Sequence, residues 1–396
     1  MTAIVRAPDS RKQILLRVLG LLRAPDLALW SACMILMPFY VFRSGQPQIA
    51  DFVSLLVVPA LLLTRGMPTI PSFLRSSLKS LYLFSGYAVI TNLLWGLLLL
   101  DYDVQKVGAI GFAGFYIFNA YIVTMCFLLY AAHGAHFFVV TSWATVAAVL
   151  LQLALLMVVG GAGLWREKLY FNNPNQLGYY ALLAASLVAF GYHRGRVPLW
   201  LAGSTLAATA LFAALSLSKA AILGIVAVAL LAAVRRPLLL LFAAAVLLVG
   251  VQLSDPTMLV ERLTFRIGEM QMNGQGDDSL AARGYSRIEM HPQHLVLGAG
   301  EVGHDRHGDF GGELHSSFGM LIFSYGIVGT SIFCVFLWCS LRRLRWRDAL
   351  FLVPILSYGA THQGLRFRMF WVFMAFVALA AYHARLAPQV RAPRDG

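Results

Sequence analysis

Three basic residues, Arg283, Arg287 and His291, recur at intervals of four. If 280–291 is helical they share one face. Guanidinium groups bind phosphate oxygens bidentately, so such a stripe suits a diphosphate. The same spacing also fits a solvated helix face. Pro292 ends any such helix and tilts His291 off the stripe. Further on, His315 stands in GGELHSSFGMLIFSYGIVG, where a polar stretch meets an apolar run. An imidazole there is held at a helix start, at the level of a lipid head group. A histidine neutral near physiological pH can take a proton from a sugar hydroxyl. Glu313 is close enough in sequence to orient it. A histidine that merely caps the helix has the same signature.

Other polar pieces surround these. LGAGEVG at 297–303 has the look of a phosphate-cradling loop, but it matches no Walker pattern and no strand–loop–helix unit frames it. It reads as a tight turn that brings backbone close to a neighbour. His304, His307 and His315 with Glu301, Asp305, Asp309 and Glu313 invite a metal reading, yet their spacing fits neither a zinc motif nor an EF-hand. A polar loop near the membrane is the plainer account, and no metal or cofactor is expected. WREKLYFNNPNQLGYY carries Arg166, Lys168, Asn172, Asn173, Asn175 and Gln176. In SLSKAA, Lys219 opens an apolar run, where a cation opposes the helix dipole unless an anion is near or the chain snorkels to water. Arg366 and Arg368 precede the last apolar run.

These residues need a scaffold, and the chain supplies a membrane one. Hydrophobic residues make up 59% and charged ones 12%, about half the charged share of a soluble domain. Stretches near the roughly 20 residues needed to cross a bilayer recur throughout. Spans are expected near 27–43, 49–64, 80–100, 108–131, 137–161, 177–193, 197–215, 219–234, 237–253, 316–340, 349–362 and 368–387. Basic residues then alternate between sides. Arg65, Arg75 and Lys79, Arg194 and Arg196, Arg235 and Arg236, Arg342 to Arg347, and Arg385, Arg391 and Arg394 fall with the N-terminal cluster. Asp101, Asp103, Glu167 and most acids of 254–315 fall opposite. By the positive-inside rule both termini are cytoplasmic. That rule also accounts for the net charge of +13, and with no base-stacking module the chain is not expected to bind nucleic acid.

The expected fold is therefore all-α: a polytopic transmembrane helix bundle of about twelve spans with one long periplasmic loop containing short helices. Residues 1–26 form a basic amphipathic segment at the cytoplasmic surface, 27–253 hold spans one to nine, and 254–315 form the periplasmic loop. Residues 316–387 hold the last three spans and 388–396 a cytoplasmic tail. Within the loop, Leu259, Leu263, Ile267 and Met270 predict an amphipathic helix over 256–272, and Asn273 to Asp278 a turn. Cys33, Cys126, Cys334 and Cys339 all lie in apolar segments and imply no disulfide framework.

In its motifs the chain resembles the O-antigen ligase and O-antigen polymerase superfamily of bacterial envelope proteins. FNNPNQLGYY is similar to that family's Asn-Pro-Asn motif opening a mid-chain span, and SLSKAAILG to its Ser-Arg motif. The stretch from Arg283 through HLVLGAG to ELHSSFGMLIFSYGIVG resembles its long periplasmic loop, with an arginine, a glycine turn and then a histidine before a span. The resemblance covers about 165–335. Two departures stand out: Lys219 replaces the usual arginine, and the proline of the turn, Pro292, comes early.

The resemblance implies a metal-independent, inverting glycosyl transfer in the bacterial inner membrane. The donor would be a glycan on undecaprenyl diphosphate; the acceptor would be a glycan or the lipid A core; a chain-length regulator is a further conceivable partner. His315 would be the base, with Glu313 beside it, and Arg283 the leading loop arginine. Arg287, Lys219, Arg166, Asn175, His291 and Arg366 would bind diphosphate or glycan. HSSFGMLIFSYGIVG is closer to polymerases than to ligases, so polymerase leads. The alternative from another class is a transporter or flippase of lipid-linked oligosaccharide. Against it, the expected spans are nearly free of charge and no internal repeat is visible. A structural subunit of an envelope complex is a third reading, disfavoured by the gathering of His and Arg in one loop.

Overall fold

The computed structural model describes residues 23–43, 45–100, 108–161, 166–234, 237–253, 261, 264, 283–307 and 314–389. Most of the basic N-terminal segment, all but two residues of the helix expected over 256–272, the turn at 273–278 and Glu313 lie outside the described residues. Within them the chain is all-helical. In order the helices are α1 (Pro25–Leu36), α2 (Ile49–Arg65), α3 (Ser72–Leu99), α4 (Ala109–His133), α5 (Ala135–Val159), α6 (Pro174–His193), α7 (Leu199–Leu215), α8 (Lys219–Ala233) and α9 (Leu238–Leu253). There follow a short α10 (Ser286–Met290), α11 (Ser317–Leu341), a single-turn α12 (Trp346–Ala349), α13 (Val353–Thr361) and α14 (Arg368–Gln389).

Each apolar run of the sequence falls on one of these helices, with two informative shifts. The first helix stops at Leu36 instead of running to 43, because Pro38 follows and its ring cannot continue the turn. The stretch 349–362 is a one-turn helix, a 3-10 turn and α13 in succession, with Pro354 starting the last piece. Among the described residues four helices, α3, α4, α5 and α11, are long and apolar enough to cross a membrane, at 25–28 residues each.

The packing follows from which helices are apolar all round. In α6 every residue from Leu177 to Tyr192 is buried, and in α14 every residue from Met369 to Ala381. These two form the centre. Around them α6 packs on α7 and α8, α14 on α4, and α3 on both α4 and α11. The outer helices turn leucine outward: Leu94, Leu97, Leu98, Leu223, Leu230, Leu241 and Leu248 are all exposed. An apolar surface this extended is not one that water tolerates on a soluble monomer. One end of the bundle is fastened by polar contacts between helix ends. His133 meets Asp26 at 2.5 Å, Arg194 meets Asp348 at 2.6 Å, and Tyr130 bonds His383 at 2.9 Å. In the alternating arrangement these ends all fall on the side rich in arginine.

The other end is shaped by a break in α11. Gly326 sits at φ 62, ψ −172, a region open essentially to glycine alone. The break frees backbone groups that an unbroken helix would pair, and the segment 295–300 takes them up. Ala299 N donates to Phe323 O and Gly300 N to Ser324 O, both at 2.9 Å; Ile327 N donates to Leu295 O at 2.7 Å. The glycines of LGAGEVG are what permit this approach. A Cβ on Gly298, which has φ +92, would collide with Ser324 O, and one on Gly326 would collide with Val296 O. Side chains from α3 secure the docked segment: Tyr87 donates to Leu297 O at 2.7 Å and Trp95 to Gly298 O at 3.1 Å. Gly326→Ala is therefore expected to cost on the order of 2–4 kcal/mol through strain and collision. Thermal unfolding in detergent and proteolysis within 291–307 measure it; a variant that melts and digests like the parent would refute this account of the break.

Candidate functional site

A cavity of about 800 Å³ opens at this end of the bundle, lined by residues of six helices, α2, α4, α6, α8, α13 and α14, and of the connections beside them. Three connections build most of its wall. The first is the entry to α6. Pro174 opens the helix, and Asn173 caps it by accepting from Gln176 N at 2.9 Å. Gln176 returns the favour by accepting from Asn172 N at 3.1 Å. These are the ordinary devices of a helix start, an amide cap followed by proline. They leave the next amide, Asn175, to accept from Arg166 Nη2 at 2.7 Å.

The second connection is SLSK between α7 and α8. Ser218 N donates to Ala213 O and Leu217 N to Ala214 O, the paired bonds of a Schellman turn. Such a turn needs a left-handed residue, usually glycine; here Leu217 fills the place at φ 52. A left-handed leucine costs about 1–2 kcal/mol. The resulting turn is tight, and it sets Lys219 at the first position of α8, on the cavity wall. Arg166 Nε donates to Ser216 O at 3.0 Å, so one arginine joins the first two connections. Gly178 seals the joint: a Cβ there would lie 2.7 Å from Ser218 Cβ.

The third connection, 362–367, links α13 to α14. Its backbone is clasped by the start of α11, with Ser317 N donating to His362 O at 3.1 Å and Gly364 N to Ser317 Oγ at 2.8 Å. Asn119 of α4 donates to Leu365 O at 3.2 Å. His362 stacks on Tyr358 at 4.3 Å, and Tyr358 stacks on Tyr179 at 4.5 Å.

Against this frame stand the loop residues. Ser316 caps α11, accepting from Gly319 N at 3.1 Å, and this fixes His315 as the residue just outside the helix. His315 N donates to Arg283 O at 3.2 Å, and Arg283 Nη1 donates to Thr361 O. Both side chains line the cavity, and that of His315 is exposed. Among the described residues, Arg166, Lys219, Arg283, Arg366 and Arg368 line the cavity; Arg368 is paired with Asp51, also on the wall, and Arg366 with Glu301 behind it. Cations in a concave, partly apolar setting favour an anion strongly, because little water is there to screen them.

Of the residues singled out in the sequence, His315, Arg283, Lys219, Arg166, Asn175 and Arg366 line this one cavity. Arg287 and His291 do not, and the stripe expected on a helix over 280–291 is corrected. Gly284 at φ +81 breaks the chain just after Arg283, and the helix covers only Ser286–Met290. Arg287 is consequently turned inward and is 1% exposed. His291 lies beyond the helix and joins His294 and His307 around Phe323, with ring centroids 5.0–6.4 Å apart. Among the described residues no three His, Cys, Asp or Glu side chains are arranged to hold a metal ion. The cavity also gathers residues not singled out beforehand as site residues: His362, Gln363, Asp51, Asn119 and Tyr358. The signal for His362 was present, since HQG interrupts two apolar runs.

The histidine group carries a pH dependence of its own. Burial pushes His307 down to about 3, with Arg306, His291, His294 and Arg287 adding to it. Burial, Arg306 and His291 lower His294 as well. His307 accepts from Arg306 Nε at 2.9 Å, which requires it neutral. A base held neutral when folded contributes stability above its ordinary value of about 6.5 and loses it as pH falls toward the folded value. Hydrogen exchange over 291–307 is expected to speed up as pH drops below about 6.5, after correction for intrinsic rates. His307→Phe is expected to remove most of that dependence; unchanged protection at pH 4 in the parent protein would contradict it.

No protein-family model matches the chain, and a search of curated proteins finds no match. The resemblance to O-antigen ligases and polymerases therefore rests on the sequence motifs and their order alone.

Proposed function

We propose that the chain is a twelve-span protein of the bacterial inner membrane, with both termini cytoplasmic, that transfers a glycan from undecaprenyl diphosphate to an acceptor hydroxyl at the periplasmic face. The observation that carries this reading is the convergence of Arg166, Lys219, Arg283, Arg366 and His315 on one cavity at one end of an apolar bundle. The helix ends that line it are those that the alternation of basic residues assigns to the periplasm.

In this reading the acceptor oxygen attacks the anomeric carbon as the bond from that carbon to the diphosphate oxygen breaks, inverting the configuration. The acceptor proton passes to the imidazole of His315. The bonding electrons leave with undecaprenyl diphosphate, whose added negative charge meets Arg283, Arg366, Lys219 and Arg166. A diphosphate is already a good leaving group, so placed cations do much of the work. Tyr358 and His362 form a stacked aromatic wall, and Gln363 and Asn175 line the cavity beside it. Polymerase is favoured over ligase on the wording of the α11 motif alone.

The test is reconstitution. Purified protein in vesicles, supplied with an undecaprenyl-diphosphate-linked glycan and acceptor, is expected to lengthen or attach glycan and release undecaprenyl diphosphate. Glycan moved across the bilayer with its diphosphate linkage intact would instead establish a transporter.

A further inference from the structure

We infer that Glu301 is a positioning residue, whose carboxylate clamps the Arg366 guanidinium into the cavity wall and thereby ties that cation to the docking of the glycine loop in the α11 break. The inference rests on the reading of the cavity as a diphosphate site.

Glu301 belongs to the docked loop and is fully buried. Each of its acceptors is used. Oε1 accepts from Tyr116 of α4 at 2.6 Å and from Tyr325 of α11. Oε2 accepts from Arg366 Nε at 2.6 Å and from Nη2 of the same guanidinium. Its backbone N donates to Asn92 Oδ1 of α3 at 2.7 Å, and Asn92 Nδ2 in turn donates to the Tyr325 hydroxyl at 3.1 Å. The Arg366 side chain lies over Phe112 at 4.5 Å and lines the cavity.

A carboxylate taken fully out of water is costly unless it is paired and hydrogen-bonded throughout. This one is, and the pairing is specific in direction. Two tyrosines and an asparagine from three helices orient the carboxylate; the carboxylate then holds two nitrogens of one guanidinium, the geometry that fixes an arginine's plane. The loop's place is set separately, by the backbone bonds of Ala299 and Gly300 to α11 on the two residues before Glu301. Moving the loop therefore moves the clamp, and the clamp holds a cation of the site. A buried glutamate that served only to hold the loop would not need its second oxygen directed at a cavity-lining arginine.

The test uses the full chain in lipid nanodiscs, with inorganic pyrophosphate as the probe and glycan transfer measured in parallel. Glu301→Asp keeps the charge but draws the carboxylate back by one methylene, and is expected to weaken pyrophosphate binding about tenfold by misplacing Arg366. Arg366→Gln is expected to weaken it to a similar extent. Glu301→Gln combined with Arg366→Gln, a neutral pair, is expected to bind no more weakly than Arg366→Gln alone, because the glutamate acts through the arginine. Wild-type binding by Glu301→Asp overturns the inference, as does a double variant that binds more weakly than Arg366→Gln alone. Should pyrophosphate fail to bind the unmodified protein, the inference also falls. Should it bind while glycan transfer is absent, the transferase reading fails and the binding cycle still decides the role of Glu301.

Discussion

His315→Ala is expected to slow glycan transfer by about 10²–10⁴-fold, the range in which a general base contributes, while the affinity for the lipid-linked donor changes little. The position makes this separation possible. His315 stands outside the helix that follows it; the cap of that helix is Ser316, and the bond that holds the neighbouring chain comes from the His315 backbone, which alanine retains. The side chain itself is exposed in the cavity, so its removal opens no core void. Single-turnover rates with saturating donor measure the effect, and donor KM gives the control. His315→Gln is expected to lose as much, since an amide can hydrogen-bond but cannot take the proton. His362→Ala is the companion variant. Its ring stacks on Tyr358 and bonds Thr361 Oγ1 at 2.9 Å, a placement suited to forming a wall. A rate that collapses for His362→Ala and holds for His315→Ala would move the base to the other imidazole.

The two histidines illustrate what the sequence discloses and what it withholds. Helices were legible because apolar runs of sufficient length are a local signal; Pro38 and Pro354, equally local, lay inside the expected spans 27–43 and 349–362, and it is there that the structure departs from them. The meeting of Arg166, Lys219, Arg283 and His315 followed once the helix ends were assigned to sides, because short connections on one side of a bundle crowd together. Arg287 went wrong for a reason equally local but weaker. Its spacing from Arg283 is helical, and only the left-handed turn at Gly284 separates them, so one arginine enters the cavity and the other the interior. Glu301 was out of reach of any local signal. Its partners Asn92, Tyr116, Tyr325 and Arg366 come from four separate stretches of chain, and as a loop carboxylate among histidines it resembled a metal ligand more than an anchor. The break in α11 lay between these cases. YGIVG advertised a glycine, but the need for it arises only when 295–300 docks against it.

Arg283→Ala is expected to lower kcat/KM for the donor by about 10²–10³-fold, comparable to removing one donor that stabilises charge developing in a transition state. Among the cavity cations Arg283 is bonded directly to the chain at His315, the proposed base: its carbonyl receives the His315 N–H, and its guanidinium is directed by Thr361 O. Under the proposed function, these two bonds of one residue would fix the cation that meets the leaving group relative to the imidazole that takes the proton. Arg283→Lys separates charge from geometry. An ammonium restores a positive point charge but cannot form the planar fork, so the lysine variant is expected to recover donor binding more fully than turnover. Lys219 provides the contrast within the same wall. It occupies the place that arginine holds in the motif SLSKAAILG resembles, and under the proposed function Lys219→Arg is expected to be tolerated, with donor KM unchanged or lower. Steady-state kinetics on the three variants resolve these effects. Equal losses for Arg283→Ala and Arg283→Lys would point to the fork as the whole contribution. Full activity in Arg283→Ala would place the diphosphate away from this residue, and with it the reacting bond away from His315.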